Sequence, residues 1–192
     1  MQSLFQIFIK LGFLHIADIK SNDHILFIIA LCVIYRLSEW RNVLVLVTAF
    51  TIGHSITLAL AAMHYIVPNV VWIEFLIPCT IFFTSIYNVL NKEKNNAYIR
   101  LNYVFALVFG LIHGLGFSNY LNSLLGQEEN LMQALLSFNI GLEFGQLLIV
   151  SVVMMASYLA LNIFKFSQRD WTLFVSGGTA ALALTLTLER WP

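Results

Sequence analysis

Ionisable side chains interrupt the longest apolar stretches of this chain. Five of them are candidate ligands: Asp23, His24, His54, His113 and Glu143. A central Asp or Lys costs roughly 2.5 to 3.5 kcal/mol on insertion into a membrane, so such residues persist where they pair, bind a ligand or line a wet cavity. Imidazole together with carboxylate suits a borderline divalent cation such as nickel, cobalt or zinc. These residue types therefore predict a metal site.

Further polar residues accompany these five and are expected to line the same site. They are His15, Asp18, Thr51, Ser55, Glu74, Asn139 and Gln146. The i, i+4, i+7 spacing of Asn139, Glu143 and Gln146 puts these three on one stripe of a helix. Polar stripes inside membranes also hold helices together by hydrogen bonds alone, so a scaffold without a ligand is an alternative interpretation.

The composition indicates that membrane helices position these residues. The chain has 192 residues, of which 59% are hydrophobic and 10% charged, whereas soluble domains carry roughly 25% charged residues. A spanning helix needs about 20 apolar residues, and five ranges reach or approach that length: 42–63, 70–90, 100–118, 132–161 and 171–189. We therefore predict an all-α polytopic transmembrane helix bundle that forms one transmembrane domain over residues 1–192.

The beginning of the chain is less regular than these five ranges. Residues 22–36 form a sixth, short apolar range, which either extends backwards or is one part of a broken helix. Residues 3–14 are too short to span, and Lys10 and Asp18 interrupt or flank them, which predicts an interfacial or half-inserted helix. The expected count is about six spans, with seven as the main alternative.

The distribution of Lys and Arg predicts the orientation. Basic residues occur in the loops 36–41, 91–100 and 165–169 but not in the alternate loops 64–69 and 119–131. The positive-inside rule then places the first set in the cytoplasm and the N-terminus outside, although Lys10 and Lys20 count weakly against it. With a rise of about 1.5 Å per residue, the candidate ligands fall in the outer half or near the middle of the membrane. The site is therefore expected to open outward.

Composition and motifs exclude several classes of function. The formal net charge is zero and there is no basic tract, so we expect no nucleic-acid partner. Cys32 and Cys79 are isolated in apolar runs and form no metal or redox motif, and the GxSxG, Walker and HExxH motifs are absent. Two classes remain. One is a secondary transporter of a divalent metal, which is favoured, and the other is an intramembrane metal-dependent hydrolase that acts on a lipid or membrane-embedded substrate.

Four blocks of sequence are similar to those of a known family. They are DHILFIIAL, TAFTIGHSITLALA, FGLIHGLGF and SFNIGLEFGQL, in this order, and the similarity extends from about residue 12 to residue 155. The chain resembles the HupE/UreJ family of membrane proteins, whose members are regarded as nickel or cobalt permeases. The resemblance implies metal transport across the bacterial inner membrane. It also implies a role for the Asp23-His24 pair, His54, His113 and Glu143.

One spacing departs from the pattern of classical nickel permeases. Those proteins carry a His about one helical turn before the Asp-His pair, and all three residues serve as ligands. Here seven residues, including Asp18, lie between His15 and Asp23. His15, Asp23 and His24 therefore cannot be assumed to share one helical face. Both the identity of the metal and its transport stay open at this point, with the hydrolase as the alternative.

Overall fold

The computed structural model describes residues 3–18, 23–91, 96–125 and 131–192. Within these ranges the chain forms helices and no strand, so the prediction of an all-α bundle is confirmed. Several charged residues that contribute to the loop prediction lie outside the described ranges: Lys20, Lys92, Lys94, Glu128 and Glu129.

Two short apolar helices precede five long ones. The short helices are α1 (Leu4–Ala17) and α2 (Asp23–Cys32). The long helices are α3 (Trp40–Ala62), α4 (Val70–Leu90), α5 (Asn96–Leu125), α6 (Leu131–Tyr158) and α7 (Gln168–Glu189). All five contain a stretch long and apolar enough to cross a membrane, and they correspond to the five long ranges predicted from the sequence. The chain is therefore a multi-pass membrane protein.

The direction of α6 is opposite to that of α3. Phe138 of α6 stacks against His54, with ring centroids 6.3 Å apart. Gln146, which is two turns further along α6, accepts a hydrogen bond of 2.7 Å from Thr51, which precedes His54 on α3. Because the contacts advance along α6 while they retreat along α3, the two helices are antiparallel.

The first helix, α1, lies along α6. A Cβ atom on Gly141 would collide with the backbone carbonyl of Ile9, and one on Gly145 would meet the side chain of Ile16 at 2.5 Å. These contacts advance together along both helices, so α1 runs parallel to α6. Since α6 is a candidate span, this packing agrees with the half-inserted alternative for residues 3–14 and not with a helix on the bilayer surface.

The second helix, α2, continues in the direction of α1. His24 and Phe27 of α2 face His54 and Phe50 of α3, with ring centroids 6.4 and 5.2 Å apart, so α2 is antiparallel to α3. With 14 and 10 residues, α1 and α2 measure about 21 and 15 Å. Neither alone reaches across the roughly 30 Å of a bilayer core. They run in the same direction, as the two parts of a broken span would.

Glycines let α3 and α5 approach closely. A Cβ atom on Gly110 of α5 would collide with the backbone carbonyl of Phe50, and one on Gly114 would collide with that of His54. Small residues at such contacts are a common means by which membrane helices associate. The close approach holds His113, which precedes Gly114, at the depth of His54.

The remaining helices, α4 and α7, cover α2. The guanidinium of Arg169, at the beginning of α7, donates hydrogen bonds to the carbonyls of Asn88 and Asn91 at the end of α4. These bonds satisfy carbonyls that a helix leaves without an intrahelical partner. The Asn88 side chain in turn donates to the carbonyl of Ala30 at 2.7 Å, which fastens α2 to α4.

Candidate metal centre

Four histidines from four helices meet inside the bundle. They are His15 of α1, His24 of α2, His54 of α3 and His113 of α5. The ring of His24 lies 4.7 Å from that of His15 and 4.9 Å from that of His113, measured between centroids. The rings of His15 and His54 are 6.0 Å apart. We call this group the histidine cluster.

Three members of the histidine cluster have the spacing of ligands to one ion. One ring nitrogen from each of His15, His24 and His54 lies within 4.8 Å of the other two. Metal–nitrogen bonds of about 2.0 to 2.1 Å at tetrahedral angles put the ligands of one ion about 3.4 Å apart. Side-chain adjustments of less than about 1 Å therefore suffice to bring the three nitrogens onto one ion.

Seven imidazole nitrogens of the cluster are buried and have no hydrogen-bond partner within the described part of the chain. This holds for both ring nitrogens of His24, His54 and His113 and for Nε2 of His15. The exposed fraction of His54 is 0% and that of His113 is 1%. A buried polar group without a partner costs about 1 to 3 kcal/mol, so the arrangement is costly unless a ligand satisfies these nitrogens.

Aromatic rings surround the histidines and exclude protein hydrogen-bond partners from them. Phe117 lies 3.9 Å and Phe138 5.8 Å from the ring of His15, measured between centroids. Phe50 lies 5.3 Å from the ring of His113. The cluster is thus a set of nitrogen donors held in an apolar wall, which is the composition expected for a borderline transition metal.

A cavity of about 430 Å³ reaches the cluster from one side. His24 and His113 belong to its wall, and its charged lining residues are Asp18, Asp23, Glu74 and Arg190. The guanidinium of Arg190 and the carboxylate of Asp23 form an ion pair of 2.9 Å. The cavity lies toward the ends of α4 and α7 that the loop prediction assigns to the outer side.

A layer of phenylalanines lies on the other side of the cluster. Phe27 of α2 contacts Phe50 and Phe109, with ring centroids 5.2 Å apart in both pairs. All three side chains are buried, and Phe27 also contacts His113 at 5.5 Å. This phenylalanine layer separates the histidines from the C-terminal end of α2 and from the N-terminal ends of α3 and α5.

Glu143 does not join the histidine cluster in this arrangement. Its carboxylate accepts a hydrogen bond of 3.5 Å from the Thr48 hydroxyl on α3. Beside this contact, the hydroxyl of Thr51 on α3 donates to the side chain of Gln146 on α6 at 2.7 Å, and Ser55 donates to the carbonyl of Thr51. These contacts form a polar seam between α3 and α6, which begins next to His54 and leads away from the cavity.

All of the candidate residues except Asn139 thus divide into three groups. His24, His54 and His113 come together as expected, and His15, expected only to line the site, joins them. Asp18, Asp23 and Glu74 face the cavity, while Thr51, Ser55, Glu143 and Gln146 belong to the polar seam. Asn139 is half-buried on α6, and its side-chain oxygen has no hydrogen-bond partner among the described residues.

Sequence reasoning missed Arg190. This residue follows α7 and lies in the cavity beside Asp23. One feature of the sequence points to it, because in the predicted orientation a basic residue after the last span would stand on the outer side, against the positive-inside rule. An unfavourable placement of this kind suggests a partner for the charge.

The fold and the site define a multi-pass helical membrane protein with a buried histidine cluster of metal-ligand composition. A family model described as HupE / UreJ protein matches residues 1–190. The chain belongs to the HupE/UreJ family, as the sequence blocks predicted. This family is associated with nickel and cobalt transport, so membership supports a role in metal transport in general terms. No curated protein and no solved structure was found to match the chain.

Proposed function

We propose that this protein is a permease for a divalent transition-metal cation that passes through the histidine cluster. Nickel and cobalt are the favoured substrates, and zinc is the third candidate. One observation carries the proposal: four histidines, three buried and His15 partly buried, converge from four helices, and seven of their ring nitrogens are buried with no protein partner among the described residues. Imidazole binds all three metals.

The proposed ligands are His15, His24, His54 and His113. Asp23 of α2 provides the carboxylate next to His24 in the sequence. Neutral imidazoles leave both charges of the ion uncompensated, and an unbalanced charge is costly at membrane depth. Asp23 is 6% exposed and immediately precedes His24, so it supplies a negative charge beside the cluster.

The proposed path runs from the cavity through the cluster to the polar seam. Asp18 and Glu74 at the cavity attract the cation, the histidines replace its water, and Glu143 receives it beyond His54. In this scheme Glu143 acts after the cluster and not as one of its ligands. The broken span formed by α1 and α2 supports the proposal, because discontinuous helices commonly form the ion sites of membrane transporters.

We place the protein in the bacterial inner membrane with its N-terminus and the cavity outside. The basic loops of the sequence support this orientation, and membership in the HupE/UreJ family supports the location in the inner membrane. In this orientation the phenylalanine layer closes the inner side of the site. The described conformation then corresponds to an outward-open permease.

The test combines metal analysis with transport. Protein purified without a metal-affinity column is analysed for bound Ni²⁺, Co²⁺ and Zn²⁺, and vesicles that contain it and a metal-sensitive dye are exposed to each ion. We expect binding and uptake by the wild type, and loss of both in His54→Ala. His64→Asn is the matched control, because His64 lies outside the cluster at a φ of 62° that Asn tolerates.

The outcomes separate the functional classes. Binding and uptake that both depend on His54 support the permease. Metal that binds through His54 and never crosses the membrane favours the intramembrane hydrolase. Absence of binding in the wild type would remove the basis for either and favour a scaffold.

A further inference from the structure

Arg190 forms an ion pair with Asp23, whose carboxylate lies next to the histidine cluster. Its Nη1 donates to Oδ2 of Asp23 at 2.9 Å, and the exposed fractions of the two side chains are 28% and 8%. The other carboxylate oxygen of Asp23, Oδ1, is buried and has no hydrogen-bond partner within the described ranges. The structure thus shows an ion pair at the place where a divalent cation would approach His24.

The segment that carries Arg190 is attached at both sides. The backbone N–H of Arg190 donates to the carbonyl of Leu186 at 3.1 Å, and Arg190 is the C-cap of α7. The next residue, Trp191, packs edge to face on Phe75 of α4, with ring centroids 5.3 Å apart and an interplanar angle of 82°. These two attachments therefore hold the guanidinium at the cavity.

A guanidinium and a metal ion cannot both occupy this corner of the cavity at low cost. The arginine side chain stays charged in proteins, and like charges in a poorly solvated site repel one another strongly. His24 and Arg190 line the same cavity on either side of Asp23. A cation that binds His24 must share Asp23 with the guanidinium or displace it.

We propose that Arg190 is a built-in competitor of the metal, which neutralises Asp23 in the metal-free protein and is displaced when the ion binds. This inference rests on the proposed metal site. The competition lowers the affinity of the site for the ion, so the ion is released more readily after it has been captured. It also couples loading of the site to a movement of the end of α7.

Equilibrium binding of Ni²⁺ to the full chain in lipid nanodiscs tests the competition. Arg190→Gln removes the positive charge, and we expect it to tighten Ni²⁺ binding by about tenfold, within the usual range for coupled sites. In an Asp23→Asn background the same change is expected to alter the affinity by less than about twofold, because the shared group is gone. Arg190→Lys keeps the charge and is expected to bind as the wild type does.

Arg100→Gln is the matched control for net charge. Arg100 is an exposed residue of α5 outside the cavity, so its replacement is expected to leave the affinity unchanged. Unchanged or weaker binding in Arg190→Gln, measured beside a wild type that binds Ni²⁺, would overturn the proposal. Tightening that is equal in Arg100→Gln would also overturn it, because the effect would then come from overall charge.

A second measurement uses the wild type and needs no variant to fold. Phenylglyoxal modifies accessible guanidinium groups, and the rate at Arg190 is followed by mass spectrometry. We expect saturating Ni²⁺ to accelerate this modification and to leave that of Arg100 unchanged. Bound Ni²⁺ without acceleration overturns the competitor while the metal site stands. A wild type that binds no Ni²⁺ overturns the proposed function and the competitor with it.

Discussion

His15 and His24 contact each other across the junction of two helices, with ring centroids 4.7 Å apart and an interplanar angle of 69°. α1 ends at Ala17 and α2 begins at Asp23. On one continuous helix, nine positions correspond to a rise of about 13.5 Å, too far for two side chains to meet at one ion. The interruption brings the two histidines together, so the spacing that departs from classical nickel permeases is compatible with a shared site.

Removal of His15 tests whether the interruption serves the metal. We expect His15→Ala to weaken Ni²⁺ binding by about 100-fold or more, because even an outer partner of a metal ligand is worth 10 to 100-fold. Leu14→Ala is the control, since Leu14 is the preceding residue and its side chain is 51% exposed. Isothermal titration of both variants measures the effect. Equal affinities in the two variants would show that His15 only lines the site.

The glycine contact between α3 and α5 is expected to matter for both stability and binding. In Gly110→Ala the new Cβ would collide with the carbonyl of Phe50. We expect a loss of about 1 to 3 kcal/mol in the free energy of unfolding, as is usual when a close contact is overfilled. Separation of α3 from α5 would also move His113 away from the cluster and weaken Ni²⁺ binding.

Gly177→Ala provides the matched control for Gly110→Ala. Nothing lies within 4 Å of a Cβ built on Gly177, and alanine favours a helix over glycine by roughly 0.5 to 1 kcal/mol. Thermal unfolding in detergent should therefore leave this variant as stable as the wild type or slightly more stable. A similar loss of stability in both variants would argue against the close contact as the cause.

The polar seam is expected to act in transport and not in binding. Glu143→Gln removes the charge beside Thr48 and leaves the histidine cluster intact. We expect Ni²⁺ uptake into vesicles to fall by about tenfold or more, with Ni²⁺ affinity within about twofold of the wild type. Ser151→Ala is the control on the same helix, because the Ser151 hydroxyl donates to the carbonyl of Leu147 within its own helix. A parallel loss of affinity would instead make Glu143 a ligand.

The phenylalanine layer is expected to keep the two sides of the membrane separate. Phe109 packs against Phe27 and is 7% exposed, so Phe109→Ala opens a cavity in the layer and is expected to cost about 3 to 5 kcal/mol of stability. Vesicles that contain the folded fraction should leak preloaded Ni²⁺ faster than wild-type vesicles. Phe83→Ala, at a side chain that is 64% exposed, should not. Retention of Ni²⁺ by Phe109→Ala vesicles would assign the seal to other residues.

The membrane fold was predictable from the sequence because apolar length is a local property. A run of about 20 apolar residues specifies a spanning helix wherever it occurs, and α3 to α7 follow from such runs. The choice of His54 and His113 as candidate site residues has a related basis. A polar side chain in an apolar run requires a partner, and this requirement is visible before the partner is known.

The composition of the site was decided by tertiary contacts. Asn139, Glu143 and Gln146 share a stripe on α6. Within it, Glu143 and Gln146 bond to Thr48 and Thr51 and not to the histidines. Helical periodicity specifies which residues face the same way, but it does not specify which helix they face.

His15 and Arg190 became part of the site for the same reason. Arg190 is separated from Asp23 by 167 positions, and no local pattern connects the two. The sequence by itself determined that the protein is an all-helical membrane protein, that histidines lie within its apolar runs, and to which family it belongs. The tertiary structure decided which of these side chains meet, because close approach of helices at glycines such as Gly110 and Gly141 brings together faces that are far apart in the chain.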